Sequence, residues 1–243
     1  MIALALMGCA DEGGETAEKR SEVGIIVDDA IAFHGDSLYD AADISFQLRD
    51  RSYTVSRREG KYVYTSSHED SLGVYRRELS NAGFTETLNG SPLELTAKDS
   101  LLHAESVNSV VYFTLLPAFL NDPAVYKTLD GTDTLSGKVY HRIKVTFDEQ
   151  GGGVDHDDVY LYWFDKETSR MDYLAYSFTV NDGGSRFRKA VNSRRINGII
   201  FQDYENYKGP SPDSLMHISD MFKAGKLPML STVELSKISV SAK

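Results

Sequence analysis

One cysteine, one tryptophan and six prolines are all that the 243 residues hold of those types. A single Cys permits no intrachain disulfide, so folding must rest on a core and not on covalent staples. Basic residues are in deficit: 26 Lys and Arg stand against 36 Asp and Glu, a net charge of −10. That deficit argues against nucleic-acid binding, which needs a basic surface. Past the first few residues, no apolar run approaches the roughly 20 residues that span a bilayer. Nucleotide-binding glycine motifs, zinc-ligand spacings and a nucleophile elbow are all missing, and nothing asks for a cofactor. What is plentiful is tyrosine, at 14 residues, and phenylalanine, at 11. Aromatic residues favour strands. With 41% hydrophobic and 26% charged residues, one β-rich domain can absorb the length.

The stretch Asp157–Val180, DDVYLYWFDKETSRMDYLAYSFTV, reads as two strands joined by the polar turn Asp165–Arg170. Val159, Leu161 and Trp163 share one side of the first strand; Tyr160, Tyr162 and Phe164 share the other. On the second strand Leu174, Tyr176, Phe178 and Val180 lie opposite Tyr173 and Ala175. Both faces are apolar or aromatic, whereas a half-wet strand alternates cleanly. The second face must therefore meet a helix, another sheet or a ligand. The aromatic residues placed to line a ligand pocket are Tyr160, Tyr162, Trp163, Tyr173 and Tyr176, with Tyr112 from the helix described below.

Met1–Cys9, MIALALMGC, resembles the end of a bacterial lipoprotein signal peptide, with small Gly8 before a Cys that would be lipidated. The run is short and lacks the opening basic residues of such a peptide, as if its start lay upstream. Residues 1–8 are thus expected to be removed, and Cys9 to carry the acyl chains. Ala10–Glu22 is acidic and glycine-containing, with almost nothing to bury, so residues 9–22 are expected to form a tether. Residues 23–243 are expected to fold as one domain anchored to an outer membrane, facing the periplasm or the cell surface, as a monomer.

Val23–Phe33 has helical spacing, with Ser21 to cap it and Gly35 after its end. His34 at that end would complement the helix dipole. Ile44–Arg58 reads as one long strand or two with a bulge, since it alternates and then changes phase after Arg49–Arg51. Tyr62–Thr65 and Val74–Leu79 read as strands with a loop at His68–Leu72 between them. Phe84–Leu88, Asn89-Gly90 and Ser91–Leu95 read as a hairpin. Thr96 and Asp99 resemble a capping box ahead of Leu101–Leu115, a helix of about five turns ending near Pro117. Its polar exceptions, Asn108 and Ser109, are read as bonding backbone or facing solvent. Lys138–Phe147 is a strand whose apolar face carries His141, read as a satisfied core residue. Ile199–Tyr204 is a further strand, Ser214–Ala224 a short helix or irregular cover, and Leu230–Ser241 a final strand.

Two charged clusters could carry chemistry. Asp155-His156-Asp157-Asp158 beside three glycines is the best metal candidate, with Asp155 and Asp157 as ligands. It lacks EF-hand spacing, and acidic loop tips are usually just solvated. Arg186, Arg188, Lys189, Arg194 and Arg195 could receive an anion; the plainer reading is a solvated face in an acidic protein. No pair of carboxylates is specifically spaced for acid–base work, so no catalytic residue is assigned.

The residues Phe164-Asp165-Lys166-Glu167-Thr168, with the return at Met171–Val180, resemble a recurring feature of the lipoprotein carrier and sorting superfamily of LolA and LolB. The order of elements is similar too: an N-terminal helix, a strand meander, a helical excursion, then more strands. SVNSVVYFTLLPAFLNDPAV, GGGVDHDD, MDYLAYSF and INGIIFQDYENYK look like a family of uncharacterised bacterial lipoproteins of this type. The resemblance implies a mainly β (α+β) fold: a curved antiparallel half-barrel with helices covering the concave face, around an apolar cavity for acyl chains. The function expected is non-enzymatic binding of a hydrophobic or amphipathic ligand, a lipid or an acylated chain. The alternatives are an envelope interaction module with a filled core and, third, a metal-dependent hydrolase.

Overall fold

The computed structural model describes residues 21–148, 158–179 and 183–242. Cys9, most of the tether, and Asp155, His156 and Asp157 lie outside the described residues.

Helix α1 (Glu22–His34) opens the chain, with Ser21 Oγ accepting from the Gly24 amide at 3.2 Å. A single turn, α2 (Leu38–Ala41), leads into a meander. Its strands are β1 (Ala42–Leu48), β2 (Arg51–Arg58), β3 (Lys61–Asp70), β4 (Gly73–Ser80), β5 (Gly83–Leu88) and β6 (Ser91–Pro92). Helix α3 (Ala97–Leu115) follows. The second series is β7 (Val125–Leu135), β8 (Lys138–Phe147), β9 (Tyr160–Asp165), β10 (Met171–Phe178), β11 (Gly184–Ile196) and β12 (Ile199–Lys208). A 3-10 turn (Pro212–His217) and α4 (Ile218–Lys223) precede β13 (Met229–Val233) and β14 (Leu235–Ala242).

The strands form two seven-stranded antiparallel sheets, ordered β14-β1-β2-β3-β4-β5-β6 and β13-β12-β11-β10-β9-β8-β7. They do not close into a barrel. The two sheets adjoin where β13 passes into β14 across Glu234, and α3 links the far edges, β6 and β7. The single final strand expected over Leu230–Ser241 is therefore two strands, one in each sheet. The phase change after Leu48 is no bulge but a two-residue turn, with Leu48 opposite Arg51. Arg49 takes φ 56° there, a conformation usually given to glycine, so no glycine marked the turn. Asn89-Gly90, at φ 50° and 81°, makes the expected hairpin turn. Its second strand stops at Pro92, which has no amide to extend the ladder. Strand β3 runs on through His68 to Asp70, where a loop was expected, and His68 stacks on Tyr75 at 5.0 Å.

The two faces of β9 and β10 bury into different cores. Tyr160, Tyr162, Phe164 and Leu174 meet Val27 and Ala30 of α1 and Leu116 and Leu120 after α3. Leu161, Trp163, Tyr173 and Ala175 meet Leu215, Ile218 and Phe222 from the 3-10 turn and α4. A third cluster joins Ile44, Tyr53 and Val55 of the first sheet to Val107, Val111 and Leu115 of α3. The second aromatic face thus meets a helical cover and not a ligand. The turn between β9 and β10 is held by Asp165, whose Oδ1 accepts from the Glu167 and Thr168 amides at 2.9 and 3.0 Å. Burial alone would raise its pKa. Lys138, bonded to Oδ2 at 2.9 Å, and those amides outweigh burial and hold it below the ordinary carboxylate range.

His34 does not serve the helix dipole as a cation. It is fully buried; Nδ1 lies 2.8 Å from the Ala30 carbonyl, and Nε2 accepts from the Met171 amide at 3.4 Å. Burial pushes its pKa down to about 4. His141 is half-buried and its Nδ1 has no partner, so it is not the satisfied core residue expected.

The unfolded chain protonates His34 near its ordinary value of about 6.5, the folded protein only near pH 4. Its stabilising effect is complete above pH 6.5 and is lost as pH falls toward 4. Urea unfolding should show about 2–3 kcal/mol of this loss between pH 7 and pH 4. His34→Gln should lower stability at pH 7 and flatten that slope. An unchanged slope would assign the acid sensitivity elsewhere.

Candidate functional site

Helix α3 decides what space remains on the concave side. Thr96 caps it, accepting from the Asp99 amide at 3.1 Å and donating to the Asp99 carboxylate at 2.7 Å. Val107, Val111 and Leu115 press one stripe into the core. The two flanks beside that stripe each face a cavity. Asn108 lines one and Ser109 the other, so the two polar exceptions mark the two spaces.

The larger cavity is about 510 Å³. Tyr64, Leu79, Tyr112, Phe119, Val125 and Phe147 give it apolar walls. Its rim is charged with both signs: Arg57 and Lys61 against Asp40, Glu105 and Asp122. Arg57 Nε donates to Asp40 at 2.9 Å, Nη1 donates to the Tyr64 hydroxyl at 3.0 Å, and the guanidinium lies 4.7 Å from the centre of the Phe119 ring. Burial raises the pKa of Asp122. The smaller cavity, about 270 Å³, lies across α3. Leu48, Val110, Phe113, Val233 and Leu235 line it with Tyr176, Arg188, Gln202 and Tyr204.

Between the cavities stands a block of aromatic rings. Tyr112 stacks on Phe119 at 5.4 Å, Phe113 packs on Tyr176 at 5.1 Å, and Tyr176 stacks on Tyr160 at 5.6 Å. The hydroxyls of Tyr112 and Tyr162 bond each other at 2.9 Å. Burial raises the pKa of both phenols, so both stay neutral.

Of the six pocket candidates, the structure brings Tyr112, Tyr160, Tyr162 and Tyr176 together on the concave side. Trp163 and Tyr173 point through the sheet to the other face. Trp163 Nε1 donates to Asp133 at 3.1 Å, and Tyr173 packs on Phe222 at 5.9 Å. Strand alternation separates the two sets, and a helical cover keeps the second from ligand. Arg57, Tyr64, Phe119 and Gln202 were not read from sequence as site residues, and Arg188 was read only as one of five cations that could receive an anion. Arg188 had one usable sign: it shares parity with inward Ala190 and opposes outward Phe187. Among the described residues no group of three or more His, Cys, Asp or Glu side chains could hold a metal ion.

Residues 14–233 match the model of DUF6503, a family of unknown function, and the chain belongs to that family. No curated protein matches the chain at a significant level. Its fold is similar to that of a LolA superfamily protein from Nitrosomonas europaea. The TM-score is 0.52 at 10% identity, over 91% of this chain and 94% of the other. A DUF1329 family protein from Desulfovibrio piger aligns with a TM-score of 0.50 at 12% identity, over 89% and 92% of the two chains. The fold is LolA-like.

Tyr112→Phe leaves the Tyr162 hydroxyl buried without its partner and should cost about 1–3 kcal/mol in urea unfolding. Tyr162→Phe should cost a similar amount. The double variant should cost less than the sum, because it removes both polar groups together. Additive costs would show that the two hydroxyls are not coupled.

Proposed function

We propose that the protein is a non-enzymatic lipoprotein, anchored through Cys9, that holds the apolar part of an amphipathic ligand in the 510 Å³ cavity. The ligand class is a lipid or the acyl chains of another lipoprotein. The observation that carries this reading is a preformed space with aromatic and aliphatic walls and a charged rim, set within a LolA-like fold. Its volume lies within the range of roughly 300–1,000 Å³ usual for ligand pockets. Each methylene of a chain moved from water to those walls contributes about 0.8 kcal/mol. The charged rim would keep a headgroup in water while the tail enters.

Fixed by Cys9 to the outer membrane, a monomer with this cavity would receive or present a ligand near the membrane, as a tethered acceptor and not as a diffusing carrier. The acidic stretch after Cys9 would space the domain from the bilayer. A second reading, an envelope interaction module, draws on Leu101 and Leu102, which are 50% and 61% exposed at the start of α3. Under that reading the cavity would be incidental.

Native mass spectrometry of protein purified without detergent should show a bound mass that denaturation releases and that proves to be lipid. Asn108→Trp, on the exposed face of α3 at the larger cavity, should remove that mass and weaken a fluorescent fatty-acid probe at least tenfold. A clean apo mass together with no probe uptake would defeat the lipid reading and favour the interaction module.

A further inference from the structure

The smaller cavity differs in charge from the larger one. Its lining holds two arginines, Arg49 and Arg188, and no Asp or Glu. This is unexpected in a chain with a net charge of −10. The other basic residues of β11 have protein partners. Lys189 pairs with Glu205 at 3.1 Å and Arg194 with Asp203 at 3.0 Å. Arg195 donates to the Gly198 and Phe33 carbonyls, and Arg186 to the Ser185 carbonyl. Arg188 alone of the five lines this cavity. Its guanidinium lies 4.3 Å from the centre of the Phe113 ring, and Nη2 donates to the Tyr176 hydroxyl at 3.1 Å. Those contacts fix the group but do not neutralise it. Among the described residues no carboxylate pairs with it, and its Nε is buried without a hydrogen-bond partner.

A partly desolvated guanidinium without a counter-charge is costly, and an oxyanion that meets its free N–H recovers much of that cost. Gln202 is 5% exposed and its Nε2 donates to the Met171 carbonyl at 2.9 Å; its Oε1 is an acceptor and offers nothing to an anion, so charge recognition falls to Arg188. Around these polar atoms Leu48, Val110, Val233 and Leu235 supply aliphatic wall. A bare inorganic anion would leave that wall wet, and a neutral alkane would leave Arg188 unpaired.

We infer that this cavity is a separate binding site for an anionic amphiphile of short to medium chain, with Arg188 holding its carboxylate and the aliphatic wall its tail. The site lies across α3 from the larger cavity and does not depend on what that cavity binds. At about 270 Å³ it suits a small ligand. Arg49, exposed at its lining, adds a second positive charge.

Calorimetric titration of the full chain with sodium octanoate tests the assignment, with octanamide as the neutral analogue and acetate as the free anion. Octanoate should show a binding event that requires Arg188 and persists in Asn108→Trp, with octanamide and acetate each at least tenfold weaker at that site. Arg188→Met, which keeps an apolar stem, should weaken octanoate at least tenfold; Arg188→Lys should retain part of the affinity. Ser109→Trp, at an exposed position of α3 beside this cavity, should block binding without touching Arg188, and Asn108→Trp should leave it unchanged. Melting curves matching wild type would show that the variants are folded; if Arg188→Met does not fold, Ser109→Trp decides. Unchanged octanoate binding in Ser109→Trp, or loss in Asn108→Trp alone, would overturn the proposal. Acetate binding as tightly as octanoate would overturn the amphiphile and leave only a small-anion site.

Discussion

A sheet that is apolar on both faces cannot stand in water without a cover on each side. Strands β9 and β10 impose that constraint: from Tyr160 to Asp165 every residue is buried. The rest of the chain answers it. On the concave side α1 and the segment after α3 pack against Tyr162 and Phe164. On the other side the 3-10 turn and α4 close over Trp163, Tyr173 and Phe187. The first sheet then wraps to the far flank of α3, and the continuity of β13 with β14 brings the two sheets to adjoining edges. The cavities are the spaces left on either side of α3 against the sheets.

Much of this was legible because the signals were periodic. The long helix was marked by Thr96, Asp99 and the spacing of Val107, Val111 and Leu115. The central hairpin was marked by strict alternation and by Asp165, whose two amide bonds explain why an Asp opens that turn. What stayed hidden lacked a local signal. The turn at Arg49-Asp50 contains no glycine, because Arg49 takes the positive φ itself. Nothing around Glu234 announces that β13 and β14 belong to different sheets. Alternation did separate Trp163 from Tyr162, but it could not say which helical cover each face would meet.

The basic cluster of β11 shows the same limit. In sequence its five cations are equivalent, and a solvated face offsetting an acidic protein describes most of them. Cross-strand carboxylates Glu205 and Asp203 sort them, since they meet Lys189 and Arg194 and not Arg188. Arg186 and Arg195 bond only backbone carbonyls. Which cations meet a carboxylate depends on the register of β11 against β12, which shifts between Val191 and Arg194. Single-sequence reading does not reach that level.

The division of the interior by α3 is itself held by energy and not by accident of packing. Asn108 and Ser109 are consecutive, so they stand about 100° apart around the helix, and each reaches a different cavity. Merging the two spaces would require α3 to leave the wall. That movement would expose Val107, Val111 and Leu115, each at most 1% exposed, at a cost of about 1.5–3 kcal/mol per side chain. It would also break the Tyr112–Tyr162 bond inside a site where neither hydroxyl easily finds another partner. The sum approaches the net stability of many domains, about 5–15 kcal/mol. That movement would consume most of the binding energy of a micromolar ligand, about 8 kcal/mol. The two cavities therefore act as separate spaces with separate chemistry: one mixed in charge and walled by aromatic rings, the other positive and walled by aliphatic side chains.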